Sequence, residues 1–175
     1  MYKLLNILKK ENVKCIILLL IVSIFICIPL FSNKIDITYD DGIQHICRLM
    51  GTFQSIEEGQ TFPVIMSNFC NEFGYSWNIF YSPITAYLPL IFKIIGVSFA
   101  TCIKLFMFAV VFASGLTMYF FTKEITKNSK IAVLAGVIYI LVPYRLTDMY
   151  IRNALSELTS FIFLPMIFHR IIYNI

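Results

Sequence analysis

Two short runs of this chain concentrate the side chains that can do chemistry. The first, Thr38-Tyr-Asp-Asp-Gly-Ile-Gln-His-Ile-Cys-Arg48, places Asp40, Asp41, His45 and Arg48 within nine residues. The second, Pro143-Tyr-Arg-Leu-Thr-Asp-Met-Tyr-Ile-Arg-Asn-Ala-Leu-Ser-Glu157, holds Arg145, Asp148, Arg152 and Glu157. A carboxylate can take a proton from an attacking hydroxyl. An arginine fork matches the oxygens of a phosphate at two points. Charged groups set beside an apolar segment are costly to keep dry and easy to use, so the first run reads as the start of a catalytic loop on the outer face of a membrane. Two adjacent acids could also contribute to a divalent-metal site, although no full ligand set is visible.

These runs sit in a very apolar chain. Of 175 residues, 59% are hydrophobic and 14% charged, with a mean hydropathy of +0.80. Soluble domains run at about 45–50% apolar and about 25% charged. The composition is that of an integral membrane protein, and the 17 Phe and 10 Tyr suit lipid and its interface. The net charge of +4 lacks the Lys/Arg clustering of a nucleic-acid binder. The five cysteines are scattered without a Cys-x-x-Cys, and read as small buried hydrophobes. A Cys47–Cys70 pair stays open, since both fall in one polar loop.

The elements that must position the two runs follow from hydropathy and charge. Lys3, Lys9, Lys10 and Lys14 precede 17 uncharged residues, Cys15 to Phe31. That run is long for a signal peptide and ends poorly for cleavage, so it reads as an uncleaved anchor with a cytoplasmic amino terminus in the cell membrane. Spans are expected at about 13–31, 99–121, 130–144 and 158–175, in a single, all-α, multi-pass membrane domain that reads as incomplete. The outer loop, 34–98, should hold helices at about 41–58 and 83–96, with 61–78 as ordered loop. Pro83, Pro89 and Lys93 make 79–96 too short and too charged to cross. The basic turn at 122–130 belongs inside, which places 79–96 beside the membrane or re-entrant on the outer side.

At about 100° per residue, Ile43, Ile46, Cys47, Met50 and Phe53 share one side of the first loop helix, and Asp41, His45, Arg48 and Thr52 the other. The helix should lie in the interface, apolar face down and Asp/His/Arg face up. Asp41 with Gln44 matches a capping box, and Gly59 supplies a stop.

In order, the anchor, the paired acids, Phe80-Tyr-Ser-Pro-Ile-Thr-Ala-Tyr87, the basic turn and the Pro-Tyr-Arg…Asp…Tyr…Arg…Glu run resemble the amino-terminal part of bacterial GT-C superfamily glycosyltransferases, nearest to the YfhO-like membrane proteins. The likeness covers nearly the whole chain, but outside those two charged runs it rests on hydropathy order. It implies transfer of a sugar from a polyprenyl-phosphate donor to a glycan or lipid acceptor on the outer face. It further implies Asp40 or Asp41 as base. His45, Arg48, Arg145, Asp148, Arg152 and Glu157 would serve the lipid phosphate or the sugar. Family members carry many more spans, and this chain has room for about four.

Each residue also has a plain structural role. Asp41 can cap its helix, and His45 can be a solvated helix residue. Arg145 and Arg152 can anchor the interface, and Trp77 and Tyr81 can be interface aromatics rather than sugar platforms. A chain in which these charges are dispersed would be a membrane scaffold or transport component of cell-envelope glycan assembly. The discriminating feature is whether Asp40 or Asp41 meets Arg145 or Arg152.

Overall fold

The computed structural model describes residues 10–32 and 40–173. Lys34 and Asp36 lie outside the described residues, as do the basic residues Lys3 and Lys9. The described residues form helices joined by turns and loops, the longest over 58–76, which holds one isolated antiparallel bridge between Met66 and Tyr75.

Helix α1, Lys10–Cys27, runs on as a 3-10 turn, Ile28–Phe31, where Pro29 removes a backbone donor. Helix α2 is Gly42–Glu57. A single turn, α3, covers Trp77–Phe80, and α4, Ile84–Leu90, tightens into a 3-10 stretch, Ile91–Ile95. Gly96 closes that stretch at φ +79°, a conformation that costs glycine nothing. Helix α5, Phe99–Thr126, starts on Ser98, whose Oγ accepts from the Thr101 amide at 3.2 Å. Helix α6, Ser129–Ile140, starts on Asn128, whose Oδ1 accepts from the amides of Lys130 and Ile131. Helix α7, Pro143–Thr147, leads into a π-turn, Asp148–Arg152, and α8 is Leu155–Tyr173.

Three of these helical stretches are long and apolar enough to cross a membrane: Glu11–Phe31, Phe99–Thr126 and Leu155–Ile172. A fourth crossing would be α6 with Pro143–Arg152, bent by 43°. Alone, α6 is about 18 Å long, short of the roughly 30 Å of hydrocarbon. The chain is thus an all-α, multi-pass membrane protein. The second span runs five residues beyond the expected 121, and 144–157, between the expected third and fourth spans, is helical for most of its length. Pro143 accounts for the bend, because it restarts a helix at its first turn but cannot continue one.

Helices α5 and α6 pack closest, with α8 also against α5 and α1 against both α5 and α6. Tyr139 of α6 donates to the Phe161 carbonyl of α8 at 2.9 Å. The contact between α5 and α6 depends on missing side chains. A Cβ on Gly136 would come within 3.0 Å of the Gly115 carbonyl oxygen and of Leu19 Cδ2, and one on Gly115 within 2.4 Å of Ile140 Cδ1. Lipid provides no hydrophobic force between helices, so such close backbone approach supplies the packing energy. Hydroxyls inside the bundle return to their own helix: Ser23 donates to the Leu19 carbonyl at 2.8 Å and Thr159 to Leu155 at 2.7 Å. At one pole, Tyr119 donates to Asn12 Oδ1 at 3.0 Å and Lys123 reaches the same oxygen, tying the end of α5 to the start of α1.

Replacing Gly136 with Val should separate α5 from α6 and α1 and cost on the order of 2–3 kcal/mol through overpacking. Thermal unfolding in detergent, followed by size-exclusion recovery, should show the loss. Gly59→Ala, where the added Cβ meets open space, should leave the bundle contacts unchanged.

Candidate functional site

Helix α2 packs against α4 and α5, and its polar side, expected to face up, is buried in protein instead. Its buried residues are Gly42, His45, Arg48, Leu49, Gly51, Thr52 and Ser55, while Ile43 and Met50 are about half exposed. The polar face is turned into protein and covered by the loop after the helix. A Cβ on Gly51 would sit 2.2 Å from the Phe69 ring, which shows how close that loop lies. The physical reason is Arg48, 1% exposed. Its Nε donates to Asn78 Oδ1 at 3.2 Å and its Nη1 to Thr85 Oγ1 at 3.0 Å. Its Nη2 donates to the Ser82 carbonyl at 2.6 Å and the Tyr81 carbonyl at 3.3 Å. The guanidinium also lies 4.7 Å from the Tyr81 ring centroid. These acceptors belong to the Tyr-Ser-Pro element, so burying the arginine folds 78–85 onto α2. Asn78 passes the network on by donating to the Pro63 carbonyl at 3.1 Å.

His45 sits beside this knot, its ring edge-on to Tyr81 at 5.4 Å. It is buried, and its Nε2 has no hydrogen-bond partner among the described residues. Burial and the nearby Arg48 charge lower its pKa to about 4. Rather than a solvated helix residue, it is a buried neutral imidazole. The capping box is not formed either: Asp41 occupies the N-cap position without a side-chain cap bond. Asp40 is exposed, with a left-handed backbone at φ +49°.

The second charged run forms a compact cluster around the π-turn. Arg152 Nη1 and Nη2 both reach the Glu157 carboxylate at 2.8 Å, and Nη1 also donates to Asp148 Oδ1 at 2.8 Å. Tyr144 accepts from Arg152 at 3.2 Å and donates to Glu157 Oε2 at 2.6 Å. Asp148 is fully buried with Oδ2 unpartnered among the described residues, whereas Arg152 and Glu157 are partly open to the exterior. Asn153, at φ +53°, closes the turn with its amide on the Asp148 carbonyl, and π-turns of this kind recur at functional sites.

The two runs meet at one backbone bond. The Asp41 amide donates to the Arg152 carbonyl at 3.2 Å. That bond joins the backbone of the acidic turn to the backbone of Arg152, while the side-chain hydrogen bonds of the cluster run among Tyr144, Asp148, Arg152 and Glu157. Arg48 and His45 are not brought to it as open side chains, because the 78–85 segment covers them.

Arg145 is separate from that cluster. It is not an interface anchor but lies inside the bundle, 1% exposed, with its guanidinium 5.1 Å from the Phe161 ring. Its Nη2 approaches the Val110 carbonyl at 3.4 Å, and its Nε and Nη1 have no hydrogen-bond partner among the described residues. Val110 also lines an apolar groove of about 540 Å³ between α4, α5 and α8, walled by Ile84, Leu88, Phe106, Ile162 and Phe163. Tyr144 and the groove were not among the residues singled out by the sequence. Tyr144 stands inside the Pro-Tyr-Arg motif, but nothing local marks its hydroxyl as a partner of Glu157.

Among the described residues, no group of three or more His, Cys, Asp or Glu side chains is placed to hold a metal ion. All five cysteines are free, Cys47 half-buried on α2 and Cys70 exposed in the following loop.

The fold and these clusters define the class: a multi-pass helical membrane protein with an ordered, partly apolar loop between its first two spans. Over 130 residues, 74% of the chain, it is 28% identical to a protein of Lactococcus lactis subsp. cremoris (strain MG1363) described as uncharacterized. Those residues span 21% of that relative's length. No family model matches the chain, and no solved structure matches it.

Two outcomes follow from the Arg48 knot. Arg48→Met leaves two carbonyls, Asn78 and Thr85 without their donor, and should destabilise the loop by on the order of 2–4 kcal/mol. Limited proteolysis should cut 61–90 faster while the spans stay intact. The folded pKa of His45 is depressed below the usual 6.5, so the opened loop binds more protons between the two values. Loop stability is complete above about pH 6.5 and falls as pH drops toward about 4. Amide exchange over 78–85, corrected for intrinsic rates, should accelerate across that window in the wild type and lose most of the dependence in His45→Gln.

Proposed function

We propose that this chain is the amino-terminal part of a GT-C-like membrane glycosyltransferase that moves a sugar from a polyprenyl-phosphate donor to an acceptor at the loop pole, taken to be the outer face. The observation that carries the reading is the Asp41 amide on the Arg152 carbonyl, which joins the acidic turn to the basic cluster. In the proposed reaction an acceptor hydroxyl attacks the anomeric carbon of the donor. Asp40, exposed and free of helix-capping duty, takes the proton, and Asp41 is the alternative base. The lipid phosphate leaves with the bonding electron pair, and cations stabilise its charge. Arg145, with two donors unpartnered among the described residues and lying against the apolar groove at Val110, suits a phosphate whose lipid chain runs along that groove. Arg152 is held by Glu157, Asp148 and Tyr144, which suits it to orient Glu157 toward sugar hydroxyls rather than to receive the phosphate itself.

One observation favours a second reading, a scaffold of cell-envelope glycan assembly. Two of the three arginines in the runs, Arg48 and Arg152, are already occupied by protein acceptors.

The test uses the longest reading frame that contains this chain, expressed in membranes with polyprenyl-phosphate-linked sugars. Asp40→Asn should lower sugar transfer by about 10²–10⁴-fold, the range of general-base help. Arg145→Gln should weaken use of the donor. Wild-type activity that survives in both Asp40→Asn and Asp41→Asn removes the base assignment, and no transfer by the wild type with any donor favours the scaffold.

A further inference from the structure

A second cavity lies at the pole opposite the candidate site. Helices α5 and α8 run parallel and both end there, and between their last turns is a cleft of about 260 Å³. Its inner walls are Thr117, Phe120, Phe121, Pro165 and Met166. Its mouth is polar. His169 Nε2 and Glu124 Oε2 bridge the two helices at 2.5 Å, and Arg170 stands beside them. Arg170 is exposed and forms no ion pair among the described residues. Pro165 opens the cleft, because a proline within α8 removes one backbone donor and pushes its ring against the preceding turn.

The depth profile is what identifies a ligand. At about 1.5 Å per residue, Thr117 lies about 10 Å further in from this pole than Glu124, and Pro165 about 6 Å further in than His169. The charged groups therefore sit at the level where a spanning helix ends, and the apolar walls sit at the depth of acyl chains. Lys123, Lys127 and Lys130 belong to the same pole, which makes the approach to the cleft positive. A phosphodiester with an attached acyl chain fits this order of chemistry: chain against Phe120, Phe121 and Met166, phosphate on Arg170. A zwitterionic lipid would place a second cation among these basic residues, whereas an anionic one would not.

We propose that the α5–α8 cleft is a binding site for one anionic phospholipid, which props the two helices apart at this pole and closes on Arg170. The site is independent of the sugar-transfer reading, since it shares no residue with the other pole.

The whole chain in detergent is titrated with phosphatidylglycerol and, separately, phosphatidylcholine. Retained lipid is counted by native mass spectrometry, and the shift in unfolding temperature is recorded. Phosphatidylglycerol should bind about tenfold more tightly, because both lipids offer the phosphate but only phosphatidylcholine brings a second cation among the basic residues. Arg170→Gln should weaken retention of both lipids, since both present a phosphate, and should reduce that preference. Thr117→Phe, which fills the inner wall, should reduce retention of both lipids. Lys130→Gln, on the same pole but outside the cleft, should change the preference by less than about twofold. Equal affinity for the two lipids overturns the proposal. So does a Lys130→Gln loss as large as that of Arg170→Gln, which would mean attraction to the basic pole in general, and so does undiminished retention in Thr117→Phe.

Discussion

The buried guanidinium of Arg48 is the interaction on which the architecture between the first two long helices depends. A charge removed from water and lipid must satisfy its donors within the protein. Arg48 does so with two carbonyls, an amide and a hydroxyl, all from the segment 78–85. That single requirement turns the polar face of α2 inward and holds the Tyr-Ser-Pro element against it. It also leaves Ile43 and Met50 outward, where an apolar surround is the environment that favours them. His45 becomes a buried neutral base as a consequence of the same packing rather than through any partner of its own.

The same physics explains the second charged run by a different solution. Arg152 is satisfied locally, by Asp148 one helical turn back and Glu157 just beyond the π-turn. The extra residue in that turn lets the guanidinium, both carboxylates and the Tyr144 hydroxyl meet. It also exposes the Arg152 carbonyl, which the Asp41 amide then takes. Arg145 is the exception to satisfaction in the bundle. Its aromatic neighbour Phe161 offsets part of the cost of burial, yet Nε and Nη1 have no hydrogen-bond partner among the described residues. Its Nη2 approaches the carbonyl of Val110, a residue that also lines the apolar groove.

Most of the helix plan was legible in the sequence. The stretch expected at 41–58 is α2 at Gly42–Glu57, and that at 83–96 is α4 with its 3-10 extension to Ile95. Helical period, Pro83 at the start and Gly59 and Gly96 at the ends are local signals, and local signals survive folding. The third crossing was the weak point, because a run of 13 uncharged residues says nothing about the 43° bend that Pro143 introduces. The face of α2 was misread for a related reason. Periodicity separates two sides of a helix but does not say which side meets protein, and in a membrane protein the apolar side need not be the covered one.

Among the candidate residues, the sequence determined their types, their spacing and their grouping into two runs flanking apolar segments. That was enough to assign the membrane class and to single out Asp40, Asp41, Arg145 and Arg152. Only the tertiary structure decided that Asp41 meets the backbone of Arg152, that Arg48 is spent on the fold, and that Tyr144 completes the Glu157 cluster. These facts join segments far apart in the chain. They depend on which buried donors find which acceptors, a competition settled by packing rather than by any one stretch of residues.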